Sequence, residues 1–124
     1  MDQIAEKISD SELEVMKILW ESKDALPVTE IRTQLRARKG WEATTVKTLI
    51  SRLHSKGAIA QEKRNVFYYR PLISEDAYSD WAANDMVNRL FRGSAGKLIA
   101  TLVRSKGLQE EDLAELKSMF RGED

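Results

Sequence analysis

Between residues 44 and 55 the chain carries Thr44, Thr45, Lys47, Thr48, Ser51, Arg52 and Ser55, a set of hydroxyls and cations with no acid among them. Hydroxyls donate or accept hydrogen bonds at base edges and phosphates, and Lys and Arg reach guanine acceptors or the sugar–phosphate backbone. The chemistry on offer is therefore recognition of a polyanion rather than bond-making. A merely solvated helix face would mix acids with its bases, because opposite charges four residues apart support a helix. The residues in between, Val46, Leu49, Ile50 and Leu53, recur at i, i+3, i+4 and i+7, the apolar stripe of an amphipathic helix. One side of this helix should face a core and the other a nucleic-acid groove.

Further cations lie on either side. Lys63-Arg64-Asn65 puts two bases and an amide where a hairpin tip would touch flanking DNA backbone or minor groove. Arg32, Arg36, Arg38 and Lys39 precede the acid-free helix and suit phosphate contacts better than base readout. Other chemistries find little support. His54 is the single histidine and there is no cysteine, so a transition-metal site of ordinary composition cannot be completed. Glu110-Glu111-Asp112 is explained by the dipole of the helix it opens. Neither a glycine-rich phosphate loop nor a Ser-His-Asp set can be assembled. The reading is a non-enzyme without cofactor or metal.

The elements that must position these residues follow from local signals. Ser9 and Glu12 have the spacing of a capping box, so a first helix should start there, with Leu13, Met16, Leu19 and Trp20 on its apolar side. Pro27 marks a break, Thr29 is expected to cap a second helix with Ile31 and Leu35 inward, and Gly40 should stop it. The third helix starts at Ala43 or Thr44, and Gly57 terminates it. Residues 58–63 and 66–70 are β-prone runs around Arg64 and Asn65, which predicts a hairpin. Three helices and a hairpin, in that order, predict a mainly α fold with a small β-hairpin: a winged helix-turn-helix over residues 1–73.

After Pro71 the pattern changes. Ser74-Glu75-Asp76 opens a long helix that Gly93 ends, and shorter helices follow near 95–104 and 109–121. These three helices, over residues 74–124, are too few to bury their own apolar faces. Trp81, Leu90, Leu98, Leu102, Leu113, Leu116 and Phe120 are then expected to pair with a second copy, and a two-fold dimer is the commonest arrangement. This segment reads as a helical dimerisation domain.

Composition sets the outer bounds. The 124 residues are 42% apolar, 32% charged and neutral overall. The neutrality hides an uneven spread. Residues 1–31 hold three Lys against eight acids, residues 32–70 hold ten Lys or Arg against Glu42 and Glu62, and residues 74–124 hold seven bases against ten acids. A basic middle between acidic ends suits a protein with one face toward phosphates. No stretch is apolar enough to insert in a membrane, the first twenty residues lack the marks of a secretory signal, and the absence of cysteine fits a reducing compartment. A cytoplasmic location is expected.

The stretches ISDSELEVMKILW (residues 8–20) and WEATTVKTLISRLHSKGAI (residues 41–59) resemble the corresponding segments of the BlaI/MecI/CopY penicillinase-repressor family. The likeness continues through VFYYRPLISEDAY, and the pattern T-x-K-T-L-x-x-R-L at Thr45 to Leu53 is its most specific part. Members are homodimeric winged-helix repressors of palindromic operators, often with TACA and TGTA elements. The resemblance implies that this chain represses nearby genes by occupying such an operator in double-stranded DNA. Copper-responsive members carry paired CxC motifs, which this chain lacks. Members that respond to β-lactams are cut in their fifth helix by a membrane sensor protease, and the matching bond here is Thr101–Leu102. Thr44 and Lys47 stand where penicillinase repressors tend to have Lys and Arg, so the operator should differ in detail.

Two readings from other classes remain beside this one. The basic stretch could dock an acidic protein partner, or the dimer interface could hold a small ligand that tunes DNA affinity. If the repressor reading holds, two recognition helices should reach half-sites about one turn, roughly 34 Å, apart.

Overall fold

In the computed structural model, which describes residues 3–122, the chain starts with a short helix, α1 (Gln3–Lys7). Ser9 then caps α2 (Asp10–Glu21) as its spacing predicts: Ser9 Oγ accepts from the Glu12 amide at 3.1 Å, and Glu12 Oε1 accepts from the Ser9 amide at 3.0 Å. The expected second and third helices are α3 (Val28–Lys39) and α4 (Ala43–Ser55). Gly40 ends α3 at φ 70° and Gly57 follows α4 at φ 80°, a left-handed conformation in which other residues are strained. The hairpin is β2 (Ile59–Lys63) and β3 (Phe67–Pro71), with Ile59 opposite Pro71 and Lys63 opposite Phe67.

Two local expectations need correction. Thr29 is not the cap of α3, because the helix already starts at Val28; the Thr29 carbonyl instead accepts from the Thr33 hydroxyl at 2.9 Å. Pro27 does more than break the chain. Leu26–Pro27 forms β1, which pairs with β3 and gives a three-stranded antiparallel sheet ordered β1-β3-β2. Proline, which has no amide proton to donate, is tolerated on such an edge strand. A two-residue strand also has no period for a pattern to reveal.

The core brings these elements together. Val15, Met16, Ile18 and Leu19 of α2 meet Ile31 and Leu35 of α3, the full α4 stripe of Val46, Leu49, Ile50 and Leu53, and Ala58, Ile59 and Tyr69 from the hairpin. Trp20 joins its edge, and its indole Nε1 donates to the Ile73 carbonyl at 2.9 Å. The stripe that sets the α4 period is thus buried, and α4 has only one orientation in which to present its other side.

Past the sheet come α5 (Glu75–Leu90), α6 (Ala95–Arg104) and α7 (Glu110–Arg121); Ser94 caps α6, and at the start of α7 the Gln109 backbone N–H donates to Asp112 Oδ2 at 2.8 Å. The chain divides into two compact units, Met1–Ala82 and Ala83–Asp124. Within the first, Tyr78 lies 5.7 Å from the Trp20 ring and 5.9 Å from Trp81, so Trp81 rests on an aromatic neighbour of its own chain. In α5, α6 and α7 no described residue is buried. Leu90 is 65% exposed and Phe120 83%. No helix among the described residues is long and apolar enough to cross a membrane.

Candidate nucleic-acid interface

Because Val46, Leu49, Ile50 and Leu53 are held in the core, the alternate positions of α4 must point outward. Thr44, Thr45, Lys47, Thr48, Ser51, Arg52 and Ser55 are all exposed. Among the described residues, no carboxylate lies within ion-pair distance of Lys47 or Arg52. The surface therefore keeps two cations and a row of hydroxyls free for an external partner. Thr48 is partly committed, since its hydroxyl donates to the Thr44 carbonyl at 3.0 Å. It is left with lone pairs and a methyl group to offer.

The cations before α4 are arranged differently. Arg38 donates to both Glu21 carboxylate oxygens, at 3.2 and 2.7 Å, and to Gln34 Oε1 at 2.8 Å. This hydrogen-bonded pairing holds the Glu21 carboxyl below its ordinary value and raises that of the guanidinium. Arg36 is 3.7 Å from Glu42, and Lys39 is 3.7 Å from Glu14. Arg32 differs: it has no carboxylate partner among the described residues and is half-buried in a cleft with Thr29, Arg36, Trp41 and Ala43. Of the four, Arg32 is the cation with charge to spare.

The wing shows the same contrast. Arg64 is bonded to the Glu62 carboxylate at 3.2 and 3.3 Å, and its guanidinium carbon lies 4.2 Å from the Tyr68 ring centre, so its charge is already answered within the hairpin. Lys63 sits 6.0 Å from the Phe67 ring and is otherwise exposed. Lys63→Ala should therefore lower the slope of log affinity against log salt by about 0.9 for each bound chain, the value of one lost phosphate contact. Arg64→Ala should lower it less, and Glu62→Gln should strengthen binding by releasing Arg64. Equal slopes for the two alanine variants would show that the Glu62 pair does not restrain Arg64.

Ser9, Ser11 and Trp41, all outside the expected set of DNA contacts, adjoin the α4 face. Ser11, from the first turn of α2, and Trp41, from the turn between α3 and α4, line a cleft of about 430 Å³ with Ser9, Thr45, Thr48 and Arg52. An aromatic at position 41 is expected from sequence to serve a core or an interface, and Trp41 is half-buried and lines this cleft. His54 is exposed and borders a separate cleft of about 300 Å³ between α4 and the sheet, beside Lys47, Gln61 and Tyr69. Among the described residues, no group of three His, Cys, Asp or Glu side chains is placed to hold a metal ion.

Three helices on a small sheet, with the last helix turning an acid-free face to solvent beside a basic hairpin, define a winged-helix protein of the DNA-binding class. The chain belongs to the penicillinase repressor family, whose model matches residues 8–121. It is 31% identical over 121 residues to the methicillin resistance regulatory protein MecI of Staphylococcus aureus (strain N315), covering 97% of this chain and 98% of that one. It is 32% identical over 111 residues to the penicillinase repressor of Bacillus licheniformis, covering 89% and 86%. Among solved structures it resembles the DNA-binding domain of the repressor BlaI, with TM-score 0.55 and 38% identity over 63% of this chain and 94% of that chain. It also resembles the monomeric form of Bacillus licheniformis BlaI in complex with the blaP half-operator, with TM-score 0.52 and 38% identity over 58% and 88%. The fold and family expected from sequence are both found.

Proposed function

We propose that this protein is a transcriptional repressor that binds a palindromic operator as a homodimer, with α4 in the major groove and the wing on the flank. The observation that carries the reading is the exposed side of α4, where Lys47 and Arg52 stand without an internal counter-charge among hydroxyls that can address base edges. The likeness to a repressor solved in complex with its half-operator supports operator DNA as the partner. Thr44, Thr45, Lys47, Thr48, Ser51 and Arg52 are the proposed groove set, with Lys63, Arg64 and Arg32 toward the backbone. The relatives named above are repressors and regulators rather than enzymes.

The C-terminal helices support the dimer. A unit with no buried side chain among its described residues, and with Leu90, Val103, Met119 and Phe120 all more than half exposed, gains stability by covering that surface. Leu98, Leu102, Leu113 and Leu116 extend the same apolar surface, and a second copy is the proposed cover. Thr101–Leu102 lies inside α6, where the Thr101 carbonyl accepts from the Ser105 amide at 2.9 Å, so a sensor protease could cut there only after α6 opens. A cut at that bond would separate α7 from the rest of the chain and thereby relieve repression.

Selection from a random duplex library tests the repressor reading. It should enrich an inverted repeat with half-site centres about one turn apart, and Phe120→Asp with Leu90→Asp should shift the protein to a monomer in sedimentation. Equal affinity for selected and scrambled duplexes at every salt concentration would instead favour docking to an acidic protein. A dimer indifferent to both aspartates would mean that another surface pairs the copies.

A further inference from the structure

The exposed side of α4 is not one uniform surface. At 3.6 residues per turn, Thr44, Thr48, Ser51 and Ser55 run along its midline, while Arg52 and Thr45 lie on one shoulder and Lys47 on the other, the two cations roughly 140° apart. A helix in the major groove has base edges beneath its midline and a phosphate backbone along each shoulder. On this geometry the hydroxyls face the bases and the cations face the strands.

Arg52's shoulder is also recessed. The cleft beside it is walled by Ser9 and Ser11 of α2, Trp41 of the α3–α4 turn, and Thr45 and Thr48 of α4, with Leu49 at its base and no carboxylate in its lining. The Ser9 oxygen already accepts from the Glu12 amide, so its hydroxyl proton is left for an outside acceptor. Ser11, Thr45, the Trp41 indole and the Arg52 guanidinium add donors from three separate segments of chain. A base edge in the major groove mixes donors with acceptors, whereas a phosphodiester offers only acceptors and one negative charge. An Arg52 cation with no carboxylate in the cleft, and several donors around it, matches the second.

We propose that this cleft seats one backbone phosphate of the bound DNA, with Arg52 as its ion-pair partner and Ser11 and Trp41 as neutral donors. Arg52 then fixes the position of α4 along the strand, and discrimination among sequences falls to Thr44, Thr48 and Ser51. The inference rests on the DNA-binding reading above and refines what one of its groove residues does.

The test measures affinity against salt for the inverted repeat enriched by the library selection and for a scrambled duplex of the same composition. Arg52→Gln should lower the salt slope by about 0.9 for each bound chain, hence about 1.8 for the dimer, on both duplexes, leave the ratio between them unchanged, and be reversed in slope by Arg52→Lys. Trp41→Phe and Ser11→Ala, which keep packing and charge, should each weaken both duplexes alike by roughly 2- to 10-fold with the slope intact. Replacing linkages by uncharged methylphosphonate should reveal one position in each half-site that costs affinity in the wild type and nothing further in Arg52→Gln. The seat is refuted if Arg52→Gln erases the preference between duplexes at an unchanged slope, since Arg52 would then read a base, or if no linkage, replaced in both half-sites, reproduces its loss. A wild-type chain that binds both duplexes equally refutes the operator reading, while the slope and the linkage scan still decide the seat. A chain that binds neither duplex overturns both.

Discussion

Leu53→Ala should lower the unfolding free energy of the winged-helix unit by about 2 to 5 kcal/mol, read as a fall in the urea midpoint at unchanged slope. Leu53 is 0% exposed and sits on α4, the helix that packs on α2, α3 and β2 together. Truncation removes the transfer energy of its methyl groups and leaves a void that three anchored elements cannot easily close. Domains of this size are stable by only about 5 to 15 kcal/mol in total, so the variant should be partly unfolded well below the wild-type melting temperature. DNA affinity supplies an internal control. Leu53 faces away from Thr44, Thr48 and Ser51, so at low temperature the folded variant should bind DNA much as the wild type does. A loss under about 1 kcal/mol would mean that the core relaxes into the space.

Lys56→Met should cost about 3 kcal/mol at neutral pH, the low end for breaking a buried pair, because the lysine side chain is 29% exposed. Lys56 Nζ bonds the Glu12 carboxylate, which is only 2% exposed, and the Lys7 carbonyl at 2.8 Å. It thereby ties the C-terminal end of α4 to the capping box of α2 and to the end of α1. Burial pushes the Glu12 carboxyl up, but the Lys56 hydrogen bond, the Ser9 amide and hydroxyl, and the lysine charge together outweigh it, leaving the group below its ordinary value. A depressed folded-state value means that the stabilisation is complete above the usual glutamate range and is lost as pH falls through the folded value. The gap between wild type and Lys56→Met should therefore be widest near neutrality and close in acid. Glu12→Gln with Lys56→Met, which leaves no buried charge, should recover part of the loss. A pH-independent gap would assign the cost to lost packing of the lysine stem instead.

Much of the scaffold was legible because its signals are local. The α4 stripe, the Ser9 and Glu12 capping box, the glycines at 40 and 57 and the aromatic run at 67–69 each act within a few residues, and periodicity or capping chemistry reads such distances directly. The site was legible in part by the same route, since once Val46, Leu49, Ile50 and Leu53 are assigned inward, Thr44 to Ser55 must supply the outer face. What escaped was non-local. β1 exists only because Leu26 and Pro27 find Tyr69 and Tyr68 more than forty residues later. Nothing near Trp41 in the sequence says that it shares a cleft with Ser9 and Ser11 of α2 and Arg52 of α4.

Charge divides the two kinds of knowledge most sharply. The order of residues alone determined that bases gather between positions 32 and 70 and that one face of the third expected helix has no acids. Only the folded chain decided which of those bases are free: Arg38 is taken by Glu21 across seventeen residues, Lys56 by Glu12 across forty-four, and Arg36, Lys39 and Arg64 by Glu42, Glu14 and Glu62, whereas Lys47 and Arg52 keep their charge for a partner. Coulomb attraction depends on separation in space, and a linear sequence carries that separation only for near neighbours.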